Sequence, residues 1–171
     1  MTATTNTIHL RALEPEDIND IYFWENDEAL WTTSNTHAPF SRHALTQYIM
    51  EAQQYDIATA KQLRLVVEAG GRAVGCIDLC NIDVFNHRAE VGILINKNFR
   101  NRRYATSAVL ALCDYAKRHL QMHQLTAEIL VENEVSLHLF GKCGFARTGT
   151  KKDWFFEGGS YKDVAILQKK L

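Results

Sequence analysis

The sequence predicts an α/β domain, and three stretches carry that reading. Residues 91–95 form the apolar run Val-Gly-Ile-Leu-Ile, which feeds the basic loop Arg100-Asn101-Arg102-Arg103 and then a small-residue segment opening at Tyr104. That is a strand, an anion-sized turn and a helix start in succession. Segments 63–69 and 72–79 read as strands separated only by Gly70-Gly71, a two-residue hairpin signal. Ala105, Ala108, Val109, Leu112 and Ala116 then recur at helical spacing, and their small size lets a helix over 104–120 lie close to a sheet.

The remaining elements follow in order. Residues 8–13 alternate in period two and read as a strand. Glu14-Pro15-Glu16-Asp17 places proline and carboxylates at a helix start, and Ile18, Ile21, Tyr22 and Trp24 supply its apolar stripe. From 26 to 40 the pattern fails, which predicts an irregular or short-helical stretch suited to substrate-contacting loops. Ser41 caps a second helix carrying Leu45, Tyr48, Ile49 and Ala52. Residues 81–87 are a polar link and 126–131 a strand. Asn133 is an N-cap for a short helix that stops at Gly144. Trp154-Phe155-Phe156, the turn 157–160 and residues 161–167 make a closing hairpin, its aromatic group read as core or dimer contact. The predicted order is β-α-α-β-β-β-α-β-α-β-β, without repeats or linkers.

At 171 residues and 46% apolar content, one domain spanning 1–171 is expected. A formal charge of −1 gives no global attraction to nucleic acid or an anionic membrane. Cys76, Cys80, Cys113 and Cys143 show no paired spacing, so they read as buried free thiols of a reducing compartment. The start, MTATTNT, has neither a basic nor an apolar leader region, and no apolar run reaches spanning length. A cytoplasmic protein without a membrane partner is expected. His119 and His123 have the spacing of a metal pair but no evident third ligand, so no metal is assigned.

The chemistry concentrates at the strand–loop–helix. Backbone N–H groups at a helix start lack intrahelical partners and carry the positive end of its dipole, so Arg100, Arg102 and Arg103 ahead of Tyr104 point to a phosphate-bearing ligand. Asn133 serves as cap and as a ligand contact, because capping leaves its amide nitrogen free. Glu90, its side chain on the strand face opposite Val91 and Ile93, reads as a rim residue able to pair with Arg88. Asp78 and Asp83 are carboxylates able to attract a cation, Asp83 reading better as an ordinary loop residue.

These stretches, ILINKNFRNRRYATSAV, ENEVSLHLFGKCGF and WFFEGGSYKDV, resemble the GNAT family of acyl-CoA-dependent N-acyltransferases over nearly the whole chain. Within it the look is closest to spermidine N-acetyltransferases and ribosomal-protein N-terminal acetyltransferases, with residues 86–90 strengthening the polyamine side. The resemblance implies a mixed, mostly antiparallel sheet flanked by helices and splayed to admit acetyl-CoA. It implies that the backbone of Ile93, Leu94 and Ile95 holds the pantetheine arm, and that Arg100, Asn101, Arg102, Arg103, Tyr104, Ala105 and Thr106 wrap the pyrophosphate. Asn133 and Ser136 correspond to further cofactor contacts, and Glu90 to a base acting through water. Two positions depart from the pattern. Arg103 stands where the family loop has its central glycine, and Phe140 where related enzymes carry the tyrosine acid that protonates the leaving thiolate.

The expectation is therefore an acetyl-CoA-dependent N-acetyltransferase working by direct attack of a neutral amine in a ternary complex. A small primary amine, spermidine-like first, is the expected acceptor, and a homodimer or higher homo-oligomer is expected from the apolar closing hairpin. The alternatives are a protein N-terminus as acceptor, or a non-catalytic acyl-CoA-binding regulatory domain, which Phe140 keeps open.

Overall fold

A computed structural model of the chain describes residues 7–34, 36–52 and 54–171. The expectation drawn from the first residues of the chain lies outside them, as do Asn35 and Gln53.

Strand β1 (Ile8–Ala12) is followed by a single 3-10 turn (Pro15–Asp17) and helix α1 (Ile18–Glu25). Helices α2 (Glu28–Ser34), α3 (Arg42–Glu51) and α4 (Ile57–Ala60) precede β2 (Leu63–Ala69), β3 (Arg72–Asp83) and β4 (Arg88–Ile95). Then come α5 (Tyr104–Arg118), β5 (Gln124–Leu130), α6 (Glu134–Lys142), β6 (Ala146–Glu157) and β7 (Ser160–Lys170). The long elements appear in the expected order, with α2 and α4 as short additions.

Local chemistry accounts for most boundaries. Ser41 Oγ accepts from Ala44 N–H and starts α3. Gly70 and Gly71 both adopt positive φ, 58° and 72°, the conformation that a tight hairpin between Ala69 and Arg72 requires. At Gly75 a Cβ would lie 2.1 Å from Leu94 O, so only glycine lets β3 and β4 approach there.

The strands form one sheet in the order β1-β2-β3-β4-β5-β7-β6. Every adjacent pair is antiparallel except β4–β5. One face is covered by α5 and α6. There Ala108, Val109, Leu112, Ala116 and Phe140 join Ile77, Leu79, Val91, Leu125 and Ala127 in one buried cluster. The other face carries α1 and α3, whose Ile21, Trp24, Leu45 and Ile49 pack on Val66 and Cys76. Burying each such aliphatic side chain contributes about 1.5–3 kcal/mol, so helices on both faces hold the sheet.

Three expectations need correction. The last hairpin is longer than its aromatic group suggested, because β6 begins at Ala146 and bends at two register shifts before reaching Phe155. Trp154 and Phe156 are each 61% exposed, so the outer edge strand turns them to solvent and neither is core. Arg88 pairs with Asp83 at 3.1 Å rather than with Glu90. An extra residue in β3 puts Asp83 directly across from Arg88, nearer than a neighbour two residues along the same strand.

Candidate functional site

Strands β4 and β5 run parallel but pair over only three residues, Arg88, Ala89 and Glu90 with Gln124, Leu125 and Thr126. Beyond Glu90 they part. β4 continues to Ile95 on β3, and β5 continues to Leu130 on β7. The sheet is therefore splayed at its centre. Along that opening the β4 backbone at Gly92, Ile93 and Leu94 is only half-buried and has no strand partner on the β5 side. Such an edge offers backbone donors and acceptors to an extended ligand as an added strand would.

Both strands lead into helices at this end. After β4, Arg100 Nε donates to Ile95 O at 3.1 Å and ties the basic loop to the end of the strand. Arg102 stacks over the Phe99 ring at 5.7 Å. Asn101 and Arg103 both take left-handed backbone, φ 62° and 63°. Arg103 is the N-cap of α5 and gives no side-chain cap. The N–H groups of Tyr104, Ala105 and Thr106 thus have neither an intrahelical acceptor nor a side-chain cap from Arg103, and they follow a left-handed turn, an arrangement able to receive an anion. The family position expected to be glycine does adopt the glycine conformation here, with a guanidinium attached.

After β5, Asn133 Oδ1 accepts from Ser136 N–H at 3.1 Å and caps α6, leaving its amide nitrogen outside the cap. The far end of α6 reaches the first turn of α5, where Cys143 Sγ lies 3.9 Å from Thr106 O. Of the residues expected from sequence, Ile93, Leu94, Ile95 and the loop 100–106 follow one another along the unpaired edge, while Asn133 and Ser136 lie at the start of α6, whose far end meets α5. An unpaired strand edge followed by an uncapped helix start fits a ligand with an amide-bearing arm and a pyrophosphate.

Phe140 does not lie free at this opening. Only 3% exposed, it meets the Phe145 ring edge-on at 5.0 Å. The free cysteines are no better placed as nucleophiles. Burial pushes the Cys143 and Cys113 thiols up, Cys80 to about 11 and Cys76 to about 12. His119 is occupied by stacking on Tyr115 at 5.1 Å.

Glu90 marks the point where the strands part, on the sheet face opposite α5. Burial raises its carboxyl above the ordinary glutamate range, opposed by a hydrogen bond from Asn81 Nδ2 at 3.0 Å. Nearby Glu128 pushes in the same direction as burial, and Lys151 opposes it. Lys151 is bound to Glu128 at 2.5 Å and stacks over Trp154 at 4.5 Å. Asp78, expected to attract a cation, already holds one: Arg64 Nε lies 2.6 Å from it, and Arg64 also binds Glu25 at 2.6 Å. Asp83 is likewise engaged by Arg88 and Asn86. Sequence reasoning missed Glu25, Arg64 and Asn81. Counted from Gly70-Gly71 alone the ladder would set Arg64 against Ile77; a register shift between Val67 and Glu68 brings it across from Asp78, and α1 gives no count at all for Glu25.

Residues 7–146 match the family model described as an acetyltransferase (GNAT) domain. The spermidine N(1)-acetyltransferase of Escherichia coli K12 is 27% identical over 166 residues, covering 94% of this chain and 84% of the relative. The candidate ribosomal N-acetyltransferase YdaF of Bacillus subtilis is 31% identical over 102 residues, 57% of this chain and 56% of its own. A crystal structure of Vibrio cholerae spermidine N-acetyltransferase in complex with CoA and spermine superposes with a TM-score of 0.86 at 26% identity, over 95% of each chain. Among the described residues, no helix is long and apolar enough to cross a membrane. With a splayed mixed sheet and a family match over most of its length, the chain belongs to the GNAT acetyltransferases and is an N-acetyltransferase, of a family whose co-substrate is acetyl-CoA.

Proposed function

We propose that this protein, as a single N-acetyltransferase domain, transfers acetyl from acetyl-CoA to a primary amine of a small polyamine such as spermidine, by direct attack in a ternary complex. The observation that carries the acceptor is Glu90. It is a half-buried carboxylate at the point where β4 and β5 part, bonded by Asn81 and without an ion-pair partner within salt-bridge distance among the described residues. A cationic amine at this point of the face opposite α5 would find a carboxylate not already held by a cation. The spermidine enzymes of E. coli and V. cholerae among the relatives support the same acceptor class.

The roles divide along the opening. Backbone groups of Ile93, Leu94 and Ile95 hold the pantetheine arm. The uncapped N–H groups of Tyr104, Ala105 and Thr106, with Arg100, Asn101, Arg102 and Arg103 around them, receive the pyrophosphate, and Asn133 and Ser136 border the arm from α6. Acetyl-CoA supplies the acetyl thioester. Glu90, its affinity for a proton raised by burial, accepts the ammonium proton through water, leaving a neutral amine at the carbonyl. Phe140 has no proton to give, so the thiolate leaves without the usual tyrosine. The raised thiols of all four cysteines argue against an acetyl-cysteine intermediate.

Exposed Trp154, Phe156 and Tyr161 on the closing hairpin favour association with further copies of the chain. The V. cholerae enzyme has a dodecameric structure, which supports a homo-oligomer. A protein N-terminus as acceptor has its support in YdaF.

Initial rates of thiol release with acetyl-CoA and spermidine both varied test the mechanism. Intersecting reciprocal plots are expected. Parallel lines with an isolable acetyl-enzyme would contradict direct attack.

A further inference from the structure

We infer that Asn81 is a positioning residue for acetyl transfer, aimed at Glu90 by a bulge in β3. The inference rests on the reading of Glu90 as the base.

Regular alternation along β3 sends Ile77 and Leu79 to the α5 face and Cys76, Asp78 and Cys80 to the opposite face. Continued by one residue, it would drive Asn81 into the apolar core beneath α5 and leave Ile82 outside. The chain avoids this. Between the pairs Cys80–Glu90 and Asp83–Arg88, β3 spends three steps where β4 spends two, and Asn81 takes φ 50°. This is a bulge with left-handed backbone at its first position, a conformation that costs most side chains about 1–2 kcal/mol and that asparagine tolerates better than most. It is anchored from outside the ladder by Ile82 N–H donating to Lys61 O at 3.2 Å. As a result Ile82 enters the core at 4% exposure, and the Asn81 amide turns to the face of Glu90 and donates to Oε2 at 3.0 Å.

The direction of that bond determines its effect. An N–H donor stabilises the carboxylate over the carboxylic acid, so Asn81 opposes burial and keeps Glu90 able to accept a proton. It also fixes one carboxylate oxygen, leaving Oε1 for water or amine. The other charged and titratable groups on this face include Cys76, Asp78 and Cys80 on β3, Arg64 on β2, Glu25 on α1, Tyr48 on α3, Glu128 on β5 and Lys151 on β6. Arg64 is shared by Asp78 and Glu25, and Lys151 is bound to Glu128, while Arg88 on β4 is held by Asp83. Asn81 is the neutral donor in direct contact with Glu90.

The test is the pH dependence of kcat/KM for acetyl-CoA and spermidine in Asn81→Gly, read as a ratio to wild type so that the amine's own titration cancels. Glycine keeps the left-handed bulge and removes only the donor. The ratio is expected to stay within about threefold of unity near pH 9 and to fall by about tenfold as pH is lowered toward 5, the size of a lost hydrogen bond to a charged group. Asn81→Asp, which also tolerates the bulge and adds a like charge, shifts the acid limb at least as far. A ratio independent of pH in both variants would overturn the inference while leaving Glu90 as base. Wild-type rates in Glu90→Gln would overturn the base reading and this inference with it.

Discussion

Arg64 faces Asp78 across the β2–β3 ladder and donates to it at 2.6 Å, while its other arm reaches Glu25 on α1 at 2.6 Å. One guanidinium thus ties the sheet to the helix beside the opening between β4 and β5. The side chains are only 10–17% exposed, so removing one member leaves a poorly solvated charge.

Asp78→Asn is therefore expected to destabilise the fold by about 3 kcal/mol in urea unfolding, the cost of breaking a buried pair. Asp83→Asn, at the exposed Arg88 pair, is expected to leave the unfolding midpoint nearly unchanged. Equal effects would mean that the Arg64 network holds nothing that the surface pair does not.

Arg103 carries a left-handed backbone at φ 63° and is the N-cap of α5. Arg103→Ala keeps the strain and loses the charge. Arg103→Gly removes the strain, about 1–2 kcal/mol, against a smaller cost of about 0.5–1 kcal/mol from the added freedom of the unfolded chain. The glycine variant should therefore melt above the alanine variant. Both should bind acetyl-CoA about tenfold more weakly by titration calorimetry, because a guanidinium contact to phosphate is lost. Unchanged affinity in both would remove this side chain from the pyrophosphate site.

Phe140 is buried against Phe145, and Phe140→Tyr adds a phenol at the position where the sequence resemblance implies an acid. If protonation of the thiolate limits turnover, kcat should rise by about tenfold with little change in KM. An unchanged kcat would place the limiting step elsewhere.

Stability should depend on acid through Asp17. Burial alone would raise its carboxyl, but hydrogen bonds from Arg11 and the Glu14 N–H, with the Arg11 charge, hold it below its ordinary 3.8. A carboxylate depressed in the folded state contributes stability above that value and loses it as pH falls through the folded value. Asp17→Asn should accordingly be less stable than wild type near neutral pH, with the gap closing below 3.8. A gap constant down to about pH 2 would contradict this.

What the sequence disclosed is what short-range chemistry dictates. Gly70-Gly71 forces a hairpin, Ser41 and Asn133 cap the helices that follow them, and the small-residue stripe from Ala105 to Ala116 can face only a sheet. The splay between β4 and β5 came through the family resemblance, since no residue pattern within either strand encodes where two parallel neighbours separate. Asn81 stayed hidden for a related reason. A bulge is one extra residue in a ladder, invisible until the partner strand's register is known, and it redirects Ile82, Asn81 and the Arg88–Asp83 pair together. Of the two readings of Trp154 and Phe156, core and dimer contact, the first fails because an edge strand exposes them, and the second stays a proposal.

The proposed reaction is acetyl transfer to a polyamine amine beside Glu90. It is tested most directly by thiol release from acetyl-CoA with spermidine, against peptides beginning with Ser or Ala, the acetylated product identified by mass. With a polyamine as acceptor and Glu90 as base, kcat/KM for spermidine should exceed that for any peptide by at least about tenfold, and Glu90→Gln should lower it by about a hundredfold. Turnover confined to the peptides, or tight acetyl-CoA binding with no turnover on any amine, would contradict it.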